Sequence, residues 1–283
     1  MKNKIYDIWK NTKYYSVKPR NYFEIYEELF SKYIDKKITF VEIGILSGGS
    51  LFMWREFFGK NARIIGVELN PVAKKWEKDG FEIFIGDQGS SEFWDSFFKK
   101  VGNIDVVLDD GSHTYQDQIV TLTKCIPFIN NGGKMVTEDV CSSYLKRYGY
   151  PSKYNFVNFI KLLVDEINYR FSDVEKIERK TTFPLRKKVF SITHYESIVS
   201  LNINEMQCKE DYLVKNGGIS EGETHVWNYL NKSIIKKILV FFAKKFNFLK
   251  KIKIIYILVN KFHRLLDLRL RIKQNSQNKK FFK

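Results

Sequence analysis

VEIGILSGGSLFMW, residues 41–54, decides the fold of this chain. With the two residues before it, the first part (TFVEIGI, 39–45) is an apolar, β-branched run ending in Gly44. That is the pattern of a strand buried on both faces. Gly44, Gly48 and Gly49 crowd the turn that follows, and Leu51–Phe58 reads as a helix. A buried strand, a glycine turn and a helix begin a doubly wound α/β sheet. The turn is where such a sheet holds a ligand against the positive end of the helix.

Further along, the alternation continues. Ala62–Leu69 (ARIIGVEL), Phe81–Ile85, Ile104–Leu108 and Lys134–Thr137 read as strands, and Pro71–Asp79, Glu92–Lys100 and Gln116–Phe128 as the helices between them. This spacing predicts an α/β, Rossmann-like sheet, mostly parallel. Residues 154–171 read as a further helix. Two β-rich runs, Val174–Lys180 and Val189–Asn202, are expected to form an antiparallel hairpin at one edge. Upstream, helical spacing of apolar residues through 5–35 predicts an N-terminal helical segment over 1–37.

The strand ends carry the chemistry. A dinucleotide fingerprint needs a glycine where Leu46 stands, so the pyrophosphate fingerprint fails at its second glycine. Glu42, two residues before Gly44, is placed to pair, through water or backbone, with a positively charged amino-acid end of a cofactor, with Gly44, Ser47 and Gly48 shaping the turn. Glu68 ends the second strand, placed to accept from both ribose hydroxyls. Asp87 and Gln88 follow the third, with Asp87 placed to accept from an adenine amino group. Singly, each is equally a tight turn or a helix cap. In order at three successive strand ends they point to S-adenosylmethionine.

The fourth strand ends in Asp109-Asp110-Gly111-Ser112-His113 and the fifth in Glu138-Asp139. Strands four and five are neighbours in such a sheet, so both acidic pairs converge on the cofactor rim. Unpaired like charges are costly. A divalent cation resolves the conflict, Mg²⁺ first and Mn²⁺ or Fe²⁺ after it, and so would Lys or Arg partners or helix caps. His113 is the side chain whose ordinary pKa suits proton transfer near neutrality. His194 and His225 read as structural.

At this point the chain resembles a known family, the metal-dependent sugar O-methyltransferases of the class I fold, which include macrolide-sugar and rhamnosyl O-methyltransferases and relatives labelled cephalosporin hydroxylase. The stretches that carry the resemblance are residues 41–54, IIGVELNP (64–71), GDQGS (86–90), DVVLDDGSH (105–113) and GGKMVTEDV (132–140), with YFEIYEELF (22–30) upstream. It spans roughly residues 10–205. It implies that Asp110, Glu138 and Asp139 hold the metal, that His113 is the general base, and that Glu42, Glu68, Asp87 and Asp109 stand at cofactor positions. No acceptor-binding loop matches, so the acceptor is carried over only as a sugar-containing small molecule. A catechol-type O-methyltransferase and a non-catalytic cofactor-binding protein are the alternatives.

Composition supports a folded core, with 44% hydrophobic residues, 24 Phe and 16 Tyr. The three cysteines, Cys125, Cys141 and Cys208, are far apart and suggest neither a disulfide framework nor a zinc site. The net charge of +16 is uneven. From Lys232 onward lie 16 of the 48 Lys/Arg and one of the 32 acids, leaving 32 against 31 in residues 1–231. The near-neutral body argues against a nucleic-acid partner. So does TEDV after the fifth strand, which lacks the Asn/Asp-Pro-Pro-aromatic motif of amino-group methylation. The expected division is a methyltransferase domain over 1–231 and a basic helical tail over 232–283. Within the tail, residues 233–259 alternate apolar residues with the lysine pairs 236/237, 244/245 and 250/251, the pattern of an amphipathic helix on an anionic membrane surface or packed on the body. No secretory signal or spanning segment is apparent, which predicts a cytoplasmic location, with peripheral contact on the inner membrane face if the tail binds lipid. The oligomeric state is left open, a homo-oligomer included.

Overall fold

The computed structural model describes residues 4–149, 151–170 and 184–208, and from 214 onward only 214, 216–218, 265, 268, 269, 272 and 275–281. The chain divides into two compact units, residues 1–213 and 214–283. The tail segment 233–259 and the β-rich run Val174–Lys180 lie outside the described residues. Among the described residues no helix is long and apolar enough to cross a membrane.

The first unit is built on a seven-stranded sheet. Its strands are β1 (Thr39–Ile43), β2 (Arg63–Glu68), β3 (Glu82–Ile85), β4 (Ile104–Asp109), β5 (Ile129–Thr137), β6 (Val189–His194) and β7 (Val199–Ile203), in the order β3-β2-β1-β4-β5-β7-β6. The first five are parallel, while β7 runs antiparallel to β5 and β6 antiparallel to β7. Strand order reverses at β1 and β4, which pair Ile43 with Asp109, and so places the glycine turn beside the acidic turn.

Helices cover both faces. On one, α1 (Lys4–Asn11), α2 (Tyr22–Phe30) and α3 (Gly49–Phe58) bury an aromatic core that includes Phe23, Tyr26, Phe30, Phe40, Trp54 and Phe58. On the other, α4 (Ser91–Val101), α5 (Tyr115–Cys125) and α6 (Phe156–Asn168) bury Trp94, Phe97, Leu122, Phe156 and Ile160 against the sheet. The helix starts follow capping chemistry. Ser90 accepts from the Phe93 amide at 3.1 Å, and Asn155 from the Asn158 amide at 2.9 Å.

The second helix forms over Pro71–Asp79 as read, wound as a 3₁₀ helix that buries Ala73 and Trp76. Two other expectations change. Both described strands of the edge hairpin, β6 and β7, come from the second run, over residues 189–203. That run turns at Tyr195–Ile198, where Ser197 takes φ 63°, and folds back as β7. The helical spacing of 5–35 is broken by a non-helical strap, residues 12–21, between α1 and α2. The strap packs close to α3, since a Cβ on Gly49 would lie 2.4 Å from the Tyr14 carbonyl oxygen and 2.5 Å from that of Tyr15.

Candidate active site

The carboxyl ends of β1 to β5 open on a cavity of about 580 Å³. The β1–β3 half of the rim supplies Gly44, Leu46, Glu68, Leu69, Asp87 and Gln88. The β4–β5 half supplies Asp110, His113, Glu138 and Asp139. The strap adds Val17, Lys18 and Pro19.

Close backbone approach explains the glycine turn. Gly44 has φ +79°, and a Cβ there would sit 2.2 Å from the Asp110 carbonyl oxygen. Gly48 has φ +80°, and its Cβ would strike the Trp76 indole at 2.4 Å. Leu46 adopts φ 44° without being glycine, and its amide donates to Glu68 Oε2 at 3.2 Å. Glu68 Oε1 accepts from the amides of Leu69 and Asn70 at 2.9 and 3.2 Å. This carboxylate therefore ties the first turn to the end of β2. Asp87 Oδ1 accepts from the Gly89 amide at 2.7 Å.

Gln88 organises the acidic turn. Its amide nitrogen donates to Asp109 Oδ1 at 3.0 Å, and its oxygen accepts from the Ser112 amide at 2.8 Å. Asp109 is buried, and burial pushes its carboxyl up to about 7 against the bonds from Gln88 and the Gly111 amide. Glu42 is also buried. It accepts from Ser50 Oγ at 2.8 Å and Trp54 Nε1 at 3.0 Å, and burial pushes it up to about 7 against Lys18 and those two bonds. Eight expected site residues thus line the cavity: Gly44, Glu68, Asp87, Gln88, Asp110, His113, Glu138 and Asp139. Four do not. Glu42, Gly48 and Asp109 are buried outside the lining, and Ser47 is exposed on the turn.

The acidic cluster contains a cation that belongs to the chain. Lys18 Nζ lies 2.5 Å from Asp110 Oδ2 and 2.9 Å from Glu138 Oε2, with its side chain only 3% exposed. Burial would discharge it, but Asp110, Glu138 and Glu42 outweigh burial and hold it above the usual lysine range. The Tyr26 hydroxyl donates to Glu138 Oε1 and that of Tyr22 to Asp139 Oδ1, both at 2.5 Å. Burial pushes the Glu138 carboxyl up, and Lys18 pulls it back. Sequence reasoning missed Lys18, Tyr22 and Tyr26. The i, i+4 spacing of the tyrosines and the Pro19 that interrupts the helical pattern were the available signals.

His113 Nε2 lies 3.5 Å from Asp139 Oδ2 and 3.9 Å from Asp110 Oδ1, and the ring meets Tyr148 edge-on at 5.8 Å. His113 and Asp139 both adopt positive φ, 59° and 52°. Such strain persists only where the surroundings impose it, and it gathers at working sites. Asp110, His113 and Asp139 each offer a donor atom within 4.8 Å of the others. Two carboxylate oxygens and an imidazole nitrogen suit a borderline or hard divalent ion, and Asp110 and Glu138 already converge on one cation, Lys18. The donor set fits a metal.

Comparison with known proteins agrees with this geometry. Residues 41–140 match the family model described as a methyltransferase domain. The 8-demethyl-8-alpha-L-rhamnosyl tetracenomycin-C 2'-O-methyltransferase of Streptomyces olivaceus is 30% identical over 158 residues, 52% of this chain and 41% of that protein. The mycinamicin VI 2''-O-methyltransferase of Micromonospora griseorubida is 28% identical over 159 residues, 51% of this chain and 39% of that protein. The chain thus spans about two fifths of the length of these curated relatives. Among solved structures, the MycE methyltransferase of the mycinamycin biosynthetic pathway, in complex with Mg and SAH, superposes with a TM-score of 0.64 at 20% identity. The match covers 84% of this chain and 58% of that one. The β3-β2-β1-β4-β5-β7-β6 sheet and the match over residues 41–140 make this part of the chain similar to a methyltransferase domain, on the fold it shares with the MycE structure.

Proposed function

We propose that the chain is an S-adenosylmethionine-dependent O-methyltransferase that transfers a methyl group to a sugar hydroxyl, with a divalent ion held by Asp110, Glu138 and Asp139 and His113 as the general base. One observation carries this reading. His113 Nε2 stands within 4 Å of carboxylate oxygens of both Asp110 and Asp139, in the same cavity as Gly44, Glu68 and Asp87. When bound, the ion supplies the positive charge that lowers the pKa of the acceptor hydroxyl.

The chain's own residues do the rest. The glycine turn leaves room for the methyl donor. Glu68 offers its remaining lone pairs to the ribose hydroxyls and Asp87 to the adenine amino group, while Gln88 holds the acidic turn in shape. The acceptor oxygen bonds to the methyl carbon as the methyl–sulfur bond breaks, and the electron pair leaves on sulfur as a neutral thioether. His113 Nε2 takes the hydroxyl proton. The sulfonium is already an activated donor, so alignment and deprotonation are the main tasks.

The curated relatives are named for sugar hydroxyls on tetracenomycin-C and mycinamicin. For this chain the acceptor class extends to nucleotide-activated sugars and surface-polysaccharide precursors. This fits a cytoplasmic enzyme whose basic tail touches the inner membrane face. Co-sedimentation with anionic liposomes, with and without residues 232–283, tests the tail, and equal binding of both proteins refutes it. His113→Ala should bind S-adenosylmethionine in calorimetry yet transfer little methyl. Normal turnover would overturn the base assignment, and activity that survives exhaustive chelation would remove the metal.

A further inference from the structure

We infer that Lys18 sets how tightly this site takes a divalent cation, by holding with its own ammonium the carboxylate oxygens that the cation would bind. The inference rests on the metal-assisted reading above.

Lys18 Nζ bridges Asp110 Oδ2 and Glu138 Oε2, the facing oxygens of two of the three acids, at 2.5 and 2.9 Å. The other Glu138 oxygen is held by the Tyr26 hydroxyl, so both are engaged while the ammonium stays. What remains for an incoming ion is Asp110 Oδ1 and Asp139 Oδ2, beside the His113 ring that the proposed reaction keeps as its base. An ion that takes Glu138 Oε2 as well must displace Lys18, because two cations within contact distance of the same oxygens repel strongly at a buried position. Withdrawing Lys18 leaves the acids one positive charge poorer and frees two more oxygens. Both changes favour the metal.

The lysine is also well placed to report the exchange. It sits on the strap whose Tyr14 and Tyr15 carbonyls lie against Gly49 of the glycine turn, and whose Val17 and Pro19 line the cavity.

Mn²⁺ alone, titrated into the full chain and followed by calorimetry or by the EPR signal of the free ion, tests the inference. Lys18→Met should bind Mn²⁺ about tenfold more tightly than wild type, or better, while Lys18→Arg, which keeps the charge, should not. A folded Lys18→Met that binds Mn²⁺ no more tightly overturns it. Should that variant fail to fold, the wild type decides. Acetylation of Lys18, read by mass spectrometry, should be slow without metal and about tenfold faster at saturating Mn²⁺, and an unchanged rate overturns the inference. Asp139→Asn separates the two readings. Mn²⁺ binding that this variant weakens but Lys18→Met leaves unchanged overturns the lysine alone. Binding indifferent to Asp139→Asn overturns the metal reading itself.

Discussion

Tyr26→Phe removes one hydroxyl from the centre of the acidic cluster and little else. Tyr26 is fully buried, and its ring packs against Phe23, Phe30 and Trp54, contacts that a phenyl ring keeps. The hydroxyl donates to Glu138 Oε1 at 2.5 Å, and Glu138 is itself fully buried. No solvent can replace the lost donor, and a hydrogen bond to a charged acceptor contributes about 1.5–3 kcal/mol. For a unit the size of residues 1–213, that corresponds to a melting temperature lower by about 3–12 °C. Urea unfolding of wild type and variant measures the loss. The charge dependence is checked in the Glu138→Gln background, where the same substitution removes a neutral bond and should cost only about 0.5–1.5 kcal/mol. Tyr26→Phe within about 0.5 kcal/mol of wild type, or an equal loss in both backgrounds, would refute the claim that the hydroxyl supports a buried carboxylate.

Two further outcomes follow from the same geometry. Burial raises the folded-state pKa of Glu42 from 4.5 to about 7, so the folded chain holds this proton more tightly than the unfolded one. The associated stability is fully present below pH 4.5 and is lost as pH rises toward 7. It amounts to at most about 3 kcal/mol, and Glu42→Gln should flatten the slope of unfolding free energy between pH 5 and 8. An unaltered slope would count against it. Gly44→Ala forces a side chain into a left-handed backbone position 2.2 Å from the Asp110 carbonyl oxygen. It should cost about 1–3 kcal/mol and weaken S-adenosylmethionine binding, and calorimetry showing wild-type affinity would contradict the close-approach account.

The parallel sheet was legible because strands buried on both faces read as continuous apolar runs, and because Gly44, Glu68, Asp87, Asp109 and Glu138 punctuate their ends in order. The neighbouring of strands four and five brought Asp110, His113, Glu138 and Asp139 together, as expected. The strap was not legible. Apolar spacing on either side of residues 12–21 disguised a break, and nothing local to Lys18 marks carboxylate partners 92 and 120 positions away. Glu42 illustrates a different limit. Its spacing from Gly44 suggested a pairing with the cofactor through water or backbone, and nothing in that spacing marks Ser50 and Trp54 on α3 as the donors that bind it behind the cavity lining. Spacing along a strand cannot say which donor a buried carboxylate will find.

The central claim is methyl transfer to a sugar hydroxyl. Its most direct measurement is incubation of the chain with S-adenosylmethionine carrying a labelled methyl group, a divalent metal, and a panel of rhamnosyl glycosides and nucleotide-activated sugars, followed by mass spectrometry of the acceptors. The account predicts the label on a sugar oxygen of at least one acceptor, and its disappearance with His113→Ala. Bound S-adenosylmethionine with no methylated sugar in any reaction, or methyl transfer undiminished in that variant, would contradict it.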